Sequence, residues 1–167
     1  MSQDSLAEES RRMVNASQAV RSLLIPMGAG TLVLPNAAVA EIVAYRPPEP
    51  VPDAPEWLMG MLAWREQRIP LLSFEAVAGH SPPAVGPQTH IAVLNAIGGG
   101  SDLRFFAMFM EGIPRLVRVD KGVITAVDSG TDTTPAVLCN VIVHGEPAMI
   151  PDMDALEEMA RQALKYY

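Results

Sequence analysis

The sequence predicts a mainly β protein, on three observations. Fifteen prolines and twelve glycines are spread along 167 residues. Between these breakers lie short apolar segments, one every ~8–12 residues, which is the spacing of a sandwich or barrel. Helical periodicity is scarce, and only the last stretch of chain carries it clearly.

Composition narrows the class further. Hydrophobic residues make up 49% of the chain and charged ones 19%, the balance of a globular protein. No apolar run approaches the ~20 residues of a membrane helix. The opening MSQDSLAEESRRMVNAS carries acids and no apolar core, so it does not read as a signal peptide. Cys139 stands alone and cannot form an internal disulfide, which fits a reducing cytoplasm. A net charge of −7 has the wrong sign for nucleic acid, which is bound through clustered Lys and Arg, and for an anionic membrane surface.

Taken in order, residues 1–19 are polar. Leu6, Met13 and Val14 could line one side of a short helix, or the segment could be a frayed tail. Residues 20–26 and 31–34 are β-like runs around a turn at 27–30, and 39–45 (VAEIVAY) is a further strand. Residues 46–55 (RPPEPVPDAP) hold five prolines. Proline lacks a backbone donor and fixes φ, so an extended surface connection is expected there.

Residues 57–74 (WLMGMLAWREQRIPLLSF) hold both tryptophans and read as a β-hairpin broken at 65–68. With Glu66 and Gln67 at its tip, Arg65 falls opposite Arg68, Trp64 opposite Ile69 and Leu62 opposite Leu71. Like charges across a ladder repel, so the two arginines are expected to face solvent or an acidic partner.

A helical turn at 75–78 precedes a Pro/Gly-rich linker at 80–88 that divides the chain nearly in half. Strands follow at 89–97, 103–110, 113–120 and 123–127, with loops at 98–102 and 129–134. A last hairpin pairs 137–143 with 147–150. Ile69-Pro70 and Ile150-Pro151 end corresponding hairpins, so two related β modules are expected, one per half. Residues 154–167 are the clearest helix, with Asp154 as its cap and Glu157 in the capping-box position. Leu156, Met159, Ala160, Ala163, Leu164 and Tyr167 share one face, expected to pack on the barrels.

Motifs for chemistry are missing. His80, His90 and His144 have no partner at metal spacing. Asp152, Asp154, Glu157 and Glu158 are explained as acids at a helix start. Gly98-Gly99-Gly100 leads into a strand, whereas a phosphate site needs a helix N-terminus. Neither cofactor nor metal is expected. A binding module is the leading reading, and Arg and Trp are common interface hot spots. The alternative is a small β-barrel enzyme or ligand carrier with a site between the barrels.

Four pieces in order carry a family resemblance: Val39-Ala40-Glu41-Ile42, Pro55-Glu56-Trp57-Leu58-Met59-Gly60, Ala63-Trp64-Arg65-Glu66 and Ile69-Pro70-Leu71-Leu72-Ser73-Phe74. Together they resemble the CheW-like domain of bacterial chemosensory systems, and the likeness extends over residues 20–156. It departs where Trp64 and Glu66 replace the Leu and Gly of an N-L-R-G turn, and where Ser73-Phe74 replaces D-L. Within the family the chain is similar to the ChpC-type adaptors of type IV pilus systems.

The resemblance implies two intertwined five-stranded β-barrels, with short helices and a C-terminal α-helix, and no catalysis. It implies a cytoplasmic adaptor that couples the tip of methyl-accepting chemoreceptors to the regulatory domain of a CheA-type histidine kinase. Val39, Glu41 and Arg65 match positions the family associates with receptor binding. Trp57, Gly60, Trp64 and Arg68 complete the candidate partner-binding set.

Overall fold

The computed structural model describes residues 3–98, 100, 102–128, 130 and 134–167, with only the backbone described at position 3 and at 14–17. Among the described residues, eleven strands form two sheets. Strands β1 (Val20–Met27), β2 (Gly30–Pro35), β8 (Arg115–Val119), β9 (Ile124–Val127), β10 (Val137–Val143) and β11 (Glu146–Pro151) make a six-stranded sheet ordered β8-β1-β2-β11-β10-β9. Strands β3 (Val39–Ala44), β4 (Leu58–Trp64), β5 (Gln67–Leu72), β6 (Thr89–Asn95) and β7 (Phe105–Glu111) make a five-stranded one ordered β3-β6-β7-β5-β4. Among the described residues there are three α-helices, α1 (Gln3–Ser17), α2 (Phe74–Val77) and α3 (Met153–Ala163). The expected loops at 98–102 and 129–134 fall partly outside the described residues.

The mainly β class and the paired sheets agree with expectation, with six strands rather than five in one of them. The modules do not coincide with the halves of the chain. β1 and β2 pair with strands of the second half, while β6 and β7 pair with strands of the first. The two halves thus exchange strands, and the 80–88 stretch joins two parts of one sheet. The parallel pairs β5–β7 and β11–β2 stitch each exchange together.

Side-chain alternation explains why the apolar runs are nearly unbroken. Along β6, Ile91 and Val93 enter a core belonging to the five-stranded sheet, while Ala92 and Leu94 enter a core shared with its neighbour. β1 and β2 divide likewise: Leu24 and Val33 face the six-stranded sheet's own core, and Ile25, Leu32 and Leu34 face the shared one. A sheet whose strands bury one face against one another has curled on itself, so both sheets are barrel-like. Strands buried on both faces show no polar alternation.

Pro26 and Pro70 lie inside strands that are flanked on both sides elsewhere. The register of β1 with β8 ends at Leu24, and that of β5 with β7 begins at Leu71. Each proline therefore sits where a second neighbour asks for no N–H.

The helices clamp one sheet to the other. Ser73 caps α2, and the buried Glu75 accepts from the Gly28 N–H at 2.7 Å, holding the β1–β2 turn. α3 lays Leu156, Ala160 and Ala163 into the shared core. Its cap is Asp152, whose carboxylate accepts from the Ala155 N–H at 3.1 Å; Asp154, the expected cap, already lies within the helix. Strand β11 runs to Pro151, which leaves Asp152 the one extended residue before the helix. Glu157 is therefore no capping-box residue. It is 1% exposed and accepts from the N–H groups of Ile97 (2.6 Å) and Gly98 (2.8 Å).

Residues 3–17 form a helix rather than a frayed tail, with Leu6 and Met13 exposed; the side chain of Val14 is outside the described set.

Candidate functional site

Strands β3 and β4 are the two edges of the five-stranded sheet. Side chains and the 46–55 segment bridge these two edges along a seam, and the site lies there. The 46–55 segment leaves β3 and runs beside β4, where Glu49 and Met61 exchange both backbone hydrogen bonds (2.8 and 2.9 Å). Further along, Arg46 Nη2 donates to the Ala63 carbonyl at 2.9 Å. At the far end, Glu41 accepts from Trp64 Nε1 at 2.8 Å and pairs with Arg65 at 3.3 Å, and the Arg65 guanidinium lies over the Trp64 ring at 4.7 Å.

Local sequence sets each of these positions. The register of β3 against β6 shifts between Val39 and Glu41, so Ala40 is an inserted residue. A bulge of this kind re-aims the next side chain. Val39 packs on the shared core, whereas Glu41 falls on the face of Val43, where Trp64 is buried. The hairpin tip differs from expectation. Trp64 pairs with Gln67, Ala63 with Arg68 and Leu62 with Ile69, so the two-residue turn is Arg65-Glu66. Both turn residues have positive φ, 44° and 61°, the geometry of a type I′ turn. Glu66 therefore keeps a tight turn despite lacking the freedom of glycine.

The two arginines consequently diverge. Arg65 turns to Glu41, while Arg68 pairs with Glu49 at 2.7 Å and holds the hydroxyl of Tyr167, whose ring lies 5.5 Å from its guanidinium. They still share a cleft of about 310 Å³ lined by Arg46, Ala63, Trp64, Glu66 and Gln67 besides themselves.

The remaining candidates stand apart from this group. Trp57 is half-buried against the shared core. Gly60 is buried with φ of 142°; a Cβ there would overlap the Glu49 carbonyl and come within 2.9 Å of Pro48. Its glycine is required by the close approach of the proline-rich segment. Arg46 and Glu49 escaped the sequence reading because that segment looked like a plain connection. The one available signal was that charged residues punctuate its prolines.

Among the described residues, no group of three or more His, Cys, Asp or Glu side chains is placed to hold a metal ion. Among the described residues, no helix is long and apolar enough to cross a membrane.

Comparison with known proteins follows the same line. A model of the CheW-like domain family matches residues 21–160. A search of curated proteins finds no match. Among solved structures, the chain is similar to the scaffolding protein TtCheW from Thermoanaerobacter tengcongensis. Identity is 15% and the TM-score 0.67, over 80% of this chain and 89% of that one. At that identity the likeness speaks for the fold.

Proposed function

The chain belongs to the CheW-like domain family, and from that premise we propose that it is a non-enzymatic adaptor of the cytoplasm. It couples chemoreceptors to a CheA-type histidine kinase in a chemotaxis or type IV pilus system. The observation that carries this reading is the family match over 21–160, together with a seam that gathers Glu41, Trp64 and Arg65 on one rim. A carboxylate and a guanidinium fixed by a buried indole give orientation to a contact surface, and neighbouring apolar side chains give it area.

The competing idea of an enzyme or carrier needs open space between the barrels. The shared core is filled by Phe74, Phe106, Met108 and the α3 stripe, which favours the adaptor, and the open space nearby is a cleft of about 440 Å³ between the β1–β2 turn and residues 75–83.

Calorimetry tests the proposal with two probes: the kinase regulatory domain and a helical-hairpin fragment of a chemoreceptor's cytoplasmic tip. Saturable binding is expected for each. Arg65→Ala should weaken the receptor arm about tenfold or more while leaving the melting temperature nearly unchanged, since an exposed ion pair contributes only about 0–1 kcal/mol. Absence of binding to both probes would overturn the reading.

A further inference from the structure

The cleft at the β4–β5 hairpin tip is an exception to the charge of the chain. Three of its lining side chains are arginines against one glutamate, whereas the whole chain has 12 basic and 19 acidic residues. Two of the three are neutralised from outside the lining, Arg65 by Glu41 and Arg68 by Glu49. Arg46 is different. It is exposed, its Nη2 is spent on the neutral Ala63 carbonyl, and no carboxylate pairs with it among the described residues.

A guanidinium has five N–H donors in a planar fork, so four remain for a ligand while the seam contact is kept. The same bond holds the Arg46 head over β4, so little ordering is left to do when a ligand arrives. On either side the paired guanidiniums act as fixed walls: Arg65 rests on Trp64, and Arg68 is tied to Glu49 and Tyr167.

We propose that this cleft receives an acidic segment of the chemoreceptor, with an Asp or Glu side chain seated on Arg46 in the two-pronged manner of arginine–carboxylate pairs. Charge complementarity selects the occupant: an apolar or basic segment would leave the Arg46 cation unpaired on binding. The inference rests on the adaptor reading and deepens it, since Arg46 lies on the seam that carries Glu41 and Arg65.

The experiment titrates the full chain and its Arg46→Ala and Arg46→Lys variants with the receptor-tip fragment, at low and at moderate salt. The kinase regulatory domain serves as a second arm. Arg46→Ala should weaken receptor binding about tenfold and flatten its salt dependence, leaving kinase binding as it was. Arg46→Lys should recover part of the affinity, because a point charge replaces the fork. In a receptor fragment whose tip acids are changed to Gln or Asn, the wild type and Arg46→Ala should bind alike.

Arg46 also supports the seam, so each variant is melted. A role confined to the Ala63 contact would lower the melting temperature without altering the salt dependence, and that result overturns the proposal. So does wild-type receptor affinity in Arg46→Ala, or a loss confined to the kinase arm. If the wild type binds neither probe, the adaptor reading fails first. If it binds both and Arg46→Ala is silent, this inference alone fails.

Discussion

Both sheets curl, and both must close a seam, yet they close it differently. In the five-stranded sheet a backbone bridge, an arginine on a carbonyl and the Glu41–Trp64–Arg65 group run down the join. Its own core holds Trp64 and Phe109, with Phe105 edge-on to Trp64 at 4.8 Å. The six-stranded sheet closes near β8 through two contacts from the β10–β11 hairpin. His144 Nε2 donates to the Arg118 carbonyl at 2.8 Å, and Arg115 pairs with Glu146. Its private core is aliphatic: Leu24, Val33, Val141, Val143 and Ala148. One barrel therefore has a rigid rim suited to presenting fixed side chains, while the other depends more on the shared core.

The largest expected effect removes what both barrels hold in common. Phe106→Ala should cost about 3–5 kcal/mol, and denaturant unfolding should show both sheets lost in one transition. Separate transitions would show that the barrels do not depend on a shared core. Next, Glu157→Ala would leave the Ile97 and Gly98 N–H groups without their acceptor, at about 1–3 kcal/mol, with amide exchange faster at those two positions.

Trp64→Phe keeps most of the ring but takes the Nε1–H from Glu41. About 1 kcal/mol is expected, with Arg65 loosened and receptor affinity reduced. The smallest effect sharpens the contrast between the seams. The hydrogen bond from Arg115, then its charge, holds the Glu146 carboxyl below its ordinary pKa, and His144 adds to this. A lowered folded-state pKa contributes stability above the ordinary glutamate range, and that stability is lost as pH falls through the lowered value. Amide protection along β8, measured against the intrinsic exchange rate at each pH, should therefore fall in acid before protection along β4 does, and an equal loss would erase the distinction.

Much of this was legible in the residues, for a physical reason. Strands buried on both faces write themselves as apolar runs, so β4, β5, β6 and β7 stand out. The exchange of β1–β2 and β6–β7 between halves was not readable locally, because a hairpin does not record which sheet it joins. The tip register was missed because Arg65 and Glu66 take positive φ without the Gly or Asn that usually marks such a turn. Glu157 looked like a helix-start acid, since burial and its partners sixty residues away leave no trace in spacing. Glu41 became a candidate through resemblance, and Arg65 both through it and as a hairpin-tip charge; what joins them to Trp64 is a bulge at Ala40 that only the fold displays.

The most direct test of the adaptor account is a sedimentation experiment in which the receptor-tip fragment is added to a preformed complex of this chain with the kinase regulatory domain. The account predicts a faster-moving ternary species that Arg65→Ala depletes, shifting its formation to about tenfold higher receptor concentration, without releasing the kinase domain. Displacement of the kinase domain by the receptor fragment, with no ternary species at any concentration, would contradict it.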